Sequence, residues 1–351
     1  MIHWTASRID VANYCRMRYY LRYVEKEQPP RLSAYVKGSF LHGLIERFWD
    51  KLGTEEEVTR KSSGKKYSNA EEFARYAMGL WTSLVIGAKK SGEKISWRYD
   101  GEEYASKYNL AGICPPLFHC MINEGPPLFS EEEVKFDFIV EGTRFTGRID
   151  DVRMRDGKVI IRDYKSGRPW IGEMKVNNDP QLTVYNAGLC SLCLSNDKIA
   201  EKLGLMEKRE DFMKNGFYIC PDFIEQFFMI EAPIFNAKSR KDRTFHPLKT
   251  IHETSRRNEH FLEVLKMIDG IEESINSGVI YAERGRKCDD CDLKYVCQKK
   301  IDQVGTGHLE NRVGQDFFSF VIPSYATTKE QEDARKKDKD RGQIRMRYRW
   351  K

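Results

Sequence analysis

The chain has 351 residues, 40% of them apolar and 32% charged, with a formal net charge of +6. That supports one large core or two ordinary ones, and the mild basic excess is compatible with nucleic acid without pointing to it. No run of about 18 apolar residues exists, and Met1-Ile2-His3-Trp4-Thr5 carries no apolar leader core, so a cytoplasmic protein is expected rather than a membrane-spanning or secreted one.

Residues 5–25 read as a helix with Ser7 as N-cap and Asp10 three residues on, and with Ile9, Val11, Tyr14, Met17, Leu21 and Val24 near helical spacing. Arg8, Arg16, Arg18 and Arg22 interleave with Tyr19, Tyr20 and Tyr23 before Pro29-Pro30 ends the segment. A second helix is predicted over about 34–51, its apolar stripe formed by Phe40, Leu41, Leu44, Ile45 and Phe48. His42 and Glu46, four apart, share one of its faces. Residues 53–69 are polar and loop-like. Helical segments are expected at about 70–90 and 101–112, followed by a proline-containing stretch at 114–127. Alternation then predicts strands at 131–140 and 143–154, joined by the turn Glu141-Gly142. Asp156-Gly157 is a strong hairpin signal leading into a strand over 158–165. A helix begins near Asp179-Pro180, proline being favoured in a first turn, and runs to about Leu194. Residues 215–231 alternate again, and a long helix is expected over about 250–277. Beyond about 325 the chain is highly charged, and 335–351 is rich in Lys and Arg, which reads as a solvated tail or as a nucleic-acid-binding arm.

The chemically pointed residues lie in the middle. On a strand, Asp163 and Lys165 share a face and Tyr164 points the other way. An acid and a lysine on one face, near a second acid, are the parts that metal-assisted phosphodiester hydrolysis needs. The acids hold a hard divalent cation, and the lysine stabilises charge or helps a water attack. Taken singly each signal is ordinary: an Asp-Tyr-Lys strand is usually an exposed edge, a helical histidine is usually structural, and Gln181 with Tyr185 makes a polar helix face.

Nine cysteines, an odd number, are expected in a reducing compartment and do not suggest a disulfide framework. Cys288, Cys291 and Cys297 are spaced to wrap a metal or cluster but are one thiolate short, and Cys15 is the distant candidate for the fourth. Spacing alone does not separate zinc from iron–sulfur. Cys190 and Cys193, on an apolar helix with Leu189, Leu192 and Leu194, read as core. Cys114, Cys120 and Cys220 read as buried singles. His119, His246, His252, His260 and His308 show no ligand pattern.

Four motifs follow one another: Gly38-Ser39-Phe40-Leu41-His42, Gly147-Arg148-Ile149-Asp150, Asp163-Tyr164-Lys165-Ser166-Gly167, and Gln181 with Tyr185. A turn-punctuated meander lies between them. In this order they resemble the PD-(D/E)XK nuclease superfamily, in particular its RecB-like branch. The resemblance implies an α/β fold with a restriction-endonuclease-like core, a central mixed sheet flanked by helices, here carrying a helical insertion at about 53–127. It implies that His42, Asp150, Asp163 and the Tyr164 carbonyl bind Mg2+ or Mn2+. Lys165 would position or activate the attacking water, and Gln181 and Tyr185 would line the site and touch substrate. Glu133 is a further candidate acid.

The cysteine pattern is similar to the iron–sulfur subset of that branch, which includes AddB-type proteins and CRISPR-associated nucleases. It implies that Cys15, Cys288, Cys291 and Cys297 hold a [4Fe–4S] cluster. The cluster would staple 10–25 to 285–299 within a nuclease domain spanning 1–300, leaving 301–351 as a basic extension. The function implied is a metal-dependent DNA nuclease, an exonuclease on single strands or duplex ends, working away from membranes and open to protein partners in a DNA-processing complex. The Tyr and Arg residues of 16–23 would either stack on bases beside phosphate contacts or cover the cluster. Two other readings stay open: a catalytically silent DNA-binding subunit on the same fold, and a zinc-stabilised RNA-processing nuclease.

Overall fold

The computed structural model of the chain describes residues 3–53, 67–97, 100–130, 132–167, 173–209, 218–231, 249–277, 280, 288 and 291–303. The chain divides into two units, Met1–Ile280 and Tyr281–Lys351. The first begins with β1 (His3–Trp4), α1 (Ala6–Tyr14), α2 (Arg16–Tyr19) and a π-helical turn (Tyr20–Val24). The single helix expected over 5–25 is therefore broken, at Cys15, whose backbone is extended (φ −167°, ψ 119°). Thr5, not Ser7, caps α1, accepting the Arg8 N–H. Next come β2 (Arg31–Leu32), α3 (Ser33–Glu46), α4 (Phe48–Lys51), α5 (Ala70–Ser91), β3 (Ile95–Ser96) and α6 (Glu102–Glu124). Helix α6 runs through Pro115-Pro116, where the sequence suggested an end. Leu110, Ile113, Cys114, Leu117, Phe118 and Met121 form a buried stripe at helical spacing. Their burial outweighs a proline penalty of about 3 kcal/mol each.

The strands follow: β4 (Lys135–Val140), β5 (Thr143–Arg148), β6 (Asp151–Arg155) and β7 (Lys158–Gly167). Both expected hairpin turns form. Glu141 and Gly142 have φ of 48° and 81°, and Asp156 and Gly157 have 51° and 72°, the left-handed pairs that match strand twist. The strand expected over 143–154 is split at Ile149-Asp150. Its first half joins a three-stranded sheet, β1-β5-β4, and its second half joins a four-stranded sheet with β7. Ile149, fully buried, donates its N–H to Val134 and so leaves the ladder at this point.

After β7 the chain forms α7 (Glu173–Asn178), α8 (Pro180–Ser195) and α9 (Asp197–Lys202), then returns as β8 (Ile224–Glu231), parallel to β7. Strand β9 (Lys249–Thr254) pairs antiparallel with β8, and α10 (Asn258–Asn276) follows. The sequence read 250–277 as one helix. Thr250, Ile251 and Thr254 are β-branched, and pairing gives the edge of β8 a partner. Phe217 and the residues from 304 onward, including the basic tail, lie outside the described residues.

The two larger sheets are mixed and flanked by helices, and β2 pairs in parallel with β3 as a separate two-stranded sheet. One core joins α1, β4, β5, α8, α9 and α10 around Phe136, Phe145, Leu189 and Phe261. The other joins α3, α5 and α6 to Tyr164, Phe228 and Ile230. In the second unit α11 (Lys294–Gln303) follows the cysteine segment. Among the described residues no helix is long and apolar enough to cross a membrane.

Candidate active site

Strand β7 carries Asp163 and Lys165 toward α8, as alternation predicts, with Tyr164 on the opposite face. Lys165 Nζ lies 2.8 Å from Asp163 Oδ2 and donates to Gln181 Oε1 at 2.8 Å. Gln181 Nε2 in turn donates to Asp163 Oδ1 at 2.6 Å and to Tyr185 Oη at 2.8 Å. Gln181 and Tyr185 meet because they are one turn apart on α8. The start of that helix is fixed by Asp179, which accepts the Gln181 N–H at 2.8 Å, and by Pro180 behind it.

The split between β5 and β6 places Asp150. Because β6 begins one residue later, the edge of β7 above Arg162 has no strand partner on that side. Asp150 takes that place with its side chain, Oδ2 accepting the Tyr164 N–H at 3.1 Å. The same oxygen lies 3.3 Å from His42 Nδ1 on α3. The His42 ring stands edge-on to Tyr164, centroids 6.4 Å apart. His42, Asp150, Tyr164, Asp163, Lys165, Gln181 and Tyr185, scattered over some 140 positions of the chain, are thus brought into one connected group.

The electrostatics follow from this crowding. Burial pushes the Asp163 carboxyl up to about 7, against the pull of Lys165. Burial disfavours the charge on Lys165 and on His42, but Asp163 outweighs it for the lysine and Asp150 for the histidine, so both end above their ordinary range. The Tyr185 phenol, buried beside two carboxylates, is held well above its ordinary value and stays protonated.

The donor chemistry suits a hard divalent ion: two carboxylates, an imidazole and a backbone carbonyl. Asp163 Oδ2 is buried and met by the Lys165 ammonium at 2.8 Å, a cation contact that a metal ion could share or replace. The 3.3 Å between His42 Nδ1 and Asp150 Oδ2 is close to the roughly 3 Å that separates neighbouring ligands on an octahedral ion with 2.0–2.1 Å bonds. Among the described residues, however, no three His, Cys, Asp or Glu side chains already stand as a metal-binding group. Asp163 is drawn aside by Lys165 and Gln181.

Glu133 does not join the site. It is exposed and accepts the N–H and hydroxyl of Ser130. Tyr19 is not available for base stacking either, being buried against Trp4 with ring centroids 5.2 Å apart. Arg18, also buried, donates to Tyr35. Cys190, Cys193, Cys114 and Cys220 are buried as expected, whereas Cys120 is half-buried. Of the proposed cluster ligands, Cys15 sits half-buried at the break between α1 and α2. In the second unit the Cys291 N–H donates to the Cys288 carbonyl, and Cys297 lies on α11.

Two neighbours of the site were not singled out by the sequence. Arg148 donates to Glu46 at 2.7 Å, one helical turn from His42 and two residues from Asp150. The spacing itself held the signal, since Glu46 shares the face of His42. Phe136 was also missed. Its ring fills the space where side chains at Gly147 and Gly188 would stand, each missing Cβ falling within 2.5 Å of it. The glycine of Gly-Arg-Ile-Asp is therefore a packing requirement that lets β4, β5 and α8 close together.

The chain matches the PD-(D/E)XK nuclease superfamily over residues 3–298 and belongs to that superfamily. The superfamily implies hydrolytic, metal-dependent nuclease activity and a nucleic-acid substrate. Comparison with curated proteins returned no match.

Proposed function

We propose that the protein is a Mg2+- or Mn2+-dependent deoxyribonuclease of the RecB-like branch, acting on single-stranded DNA or duplex ends. The observation that carries this reading is the unbroken chain of contacts from His42 through Asp150 and Tyr164, and from Lys165 through Asp163 and Gln181 to Tyr185. His42, Asp150, Asp163 and the Tyr164 carbonyl hold the ion. When bound, it supplies positive charge to the phosphoryl oxygens and makes a neighbouring water more acidic. Lys165 keeps its ammonium next to Asp163 and is placed to hold or assist the attacking water. Gln181 fixes both partners, accepting from Lys165 and donating to Asp163. Tyr185 accepts from Gln181 and retains its own hydroxyl proton for a substrate oxygen.

Cleavage of labelled single-stranded DNA that requires Mg2+ or Mn2+, and is lost in Asp163→Asn and Lys165→Ala, is the expected result. Unchanged cleavage in both variants would remove the assignment. Binding without cleavage by the wild-type chain would favour a silent subunit, and preferential cutting of RNA would favour an RNA-processing enzyme. A circular single strand separates exonuclease from endonuclease, because it offers no end and should survive.

We further infer that Cys15, Cys288, Cys291 and Cys297 hold a structural [4Fe–4S] cluster. Four thiolates suit iron–sulfur ligation, and Cys15 interrupts its helix in extended conformation rather than being packed along a buried stripe. Anaerobically purified protein should be coloured and contain iron and sulfide. Cys288→Ser should lose the colour and stability together. A colourless protein with stoichiometric zinc would defeat the cluster.

A further inference from the structure

Helix α3 is joined to the β5–β6 connection by two polar pairs, not one. His42 faces Asp150 at 3.3 Å, and one turn on, Glu46 faces Arg148 at 2.7 Å. The helix advances about 5–6 Å over four residues, so the two pairs follow one another along α3. They differ in exposure. The Arg148 side chain is 40% exposed, against 16% for Asp150. Arg148 lies two residues before Asp150, close enough to the Tyr185 phenol for its charge to act there.

Beside it lies an open depression of about 510 Å³ lined by Lys135, Phe136, Asp137, Thr146, Gly147 and Arg148. Lys135 and Arg148 are direct cross-strand partners in the β4–β5 ladder, and residues opposed in this way project from the same face. Lys135 and Arg148 thus stand on one face of the hairpin, each held by an acid at the surface, Lys135 by Glu132 at 2.6 Å and Arg148 by Glu46 at 2.7 Å. Lys165, inside the site, is held by both Asp163 and Gln181. A half-exposed ion pair such as Glu46–Arg148 contributes little to stability. A guanidinium on a phosphate is a strong, two-pronged charge-assisted contact, so the exchange of one anion for another is favourable.

We propose that Arg148 is a phosphate-binding residue of this site. Its guanidinium leaves Glu46 for a phosphate of the substrate strand, and Lys135 leaves Glu132 for the adjoining phosphate in the depression. The proposal rests on the nuclease reading above and adds the group that recognises the strand. Glu46 then acts as the anion that holds Arg148 ready and competes with substrate for it.

The test is binding of a fluorescent single-stranded deoxyoligonucleotide to the full chain, with Ca2+ replacing Mg2+, over a series of salt concentrations. Arg148→Gln should weaken binding by roughly tenfold or more. It should also lower the slope of log K against log salt by about 0.7, the signature of one lost phosphate contact on a single strand. Arg148→Lys should restore the slope but only part of the affinity. Glu46→Gln should bind more tightly than wild type. Equal weakening in Arg148→Gln and Glu46→Gln, with the slope unchanged, would make the pair a helix-to-strand clamp and overturn the proposal. Thermal unfolding of Arg148→Gln guards against a folding defect, and an unfolded Arg148→Gln leaves Glu46→Gln and Arg148→Lys to decide. Failure of the wild-type chain to cleave would sink the nuclease reading while the salt slopes still report on Arg148.

Discussion

Toward α8, strand β7 presents Asp163 and Lys165. Away from it, Arg162 and Tyr164 enter a second set of charges. There Asp151 Oδ2 accepts from Tyr164 Oη and Arg153 Nε, both at 2.6 Å. Arg153 also donates to the carbonyls of Glu124 and Gly125 at the C-terminus of α6. Arg162 reaches Glu124 and Gln226 and lies 4.9 Å over the Phe228 ring. The second set contains buried polar atoms without a hydrogen bond, Asp151 Oδ1, Arg153 Nη2 and Arg162 Nη1, whereas Asp163 Oδ2 in the first is met by the Lys165 ammonium at 2.8 Å. What separates them is access. The Lys165 and His42 side chains keep about 30% of their surface in solvent, while Arg162 and Asp151 keep 2% or less. Two similar collections of charge on one strand can therefore do different work. The open one can trade partners with an ion or a substrate, and the sealed one can only hold β6, β7, β8 and α6 in register.

Paired substitutions would break or sharpen this contrast. Asp163→Asn should lower cleavage by on the order of 10³-fold, with the unfolding midpoint in urea within a few tenths molar of wild type. Arg162→Met should do the reverse. It removes the buried partner of Glu124 and one of the two guanidinium groups beside Asp151, and breaking such a pair costs about 3–5 kcal/mol. Residual folded protein should still bind metal and cleave. If Asp163→Asn unfolds the chain, or Arg162→Met leaves stability untouched, the division of labour between the two faces is wrong.

Much of the open face was legible in the sequence because alternation and the four-residue helical repeat are local rules. Asp163 with Lys165, and Gln181 with Tyr185, follow from them directly. The turns at Glu141-Gly142 and Asp156-Gly157 were equally readable, since few residues tolerate φ near +50° to +80°. The sealed face was not readable. Asp151, Arg153 and Arg162 look in the sequence like the solvated side of a hairpin, and only the packing of α6 over them turns that side inward. For the same reason α6 ran past its two prolines. Tertiary burial, invisible in a local window, outweighed a local penalty. The break at Cys15 and the strand at 249–254 were missed because short apolar runs fit both periods.

A third buried acid extends the comparison to the interior. Glu225 on β8 is fully buried and bonded to Asn186 of α8 at 2.5 Å, and its Oε2 has no partner. Burial pushes its carboxyl up to about 8, with Asn186 and Arg256 pulling the other way. The folded state thus holds a proton that the unfolded chain releases above about pH 4.5. Between those values the unfolded state binds fewer protons, so stability is full at low pH and falls as pH rises toward 8. The total loss is on the order of 4 kcal/mol. Glu225→Gln keeps the hydrogen bond and removes the proton, so its unfolding midpoint should lose most of that decline between pH 5 and 8. A slope identical to wild type would mean that Glu225 is ionised in the fold.

The smallest change tests whether the open face depends on packing it does not touch. Gly188 lies on α8, less than a turn beyond Tyr185, and a Cβ there would meet the Phe136 ring at 2.4 Å. Phe136 is itself wedged against Gly147 of β5, three residues before Asp150. It also packs edge-on to Tyr185, with centroids 6.4 Å apart. The ring has no room to yield on one side without pressing on the other, so Gly188→Ala should cost about 1–3 kcal/mol by overpacking. It should also shift α8, and with it Gln181 and Tyr185, relative to β7. Cleavage should then fall by more than the small loss of folded protein explains, and mainly in kcat, because the reacting groups are displaced while the approach beside Arg148 is kept. Phe136→Leu in the same chain relieves the clash and should recover both stability and rate. If the double variant recovers stability alone, the glycines serve packing and the geometry of the site is set elsewhere.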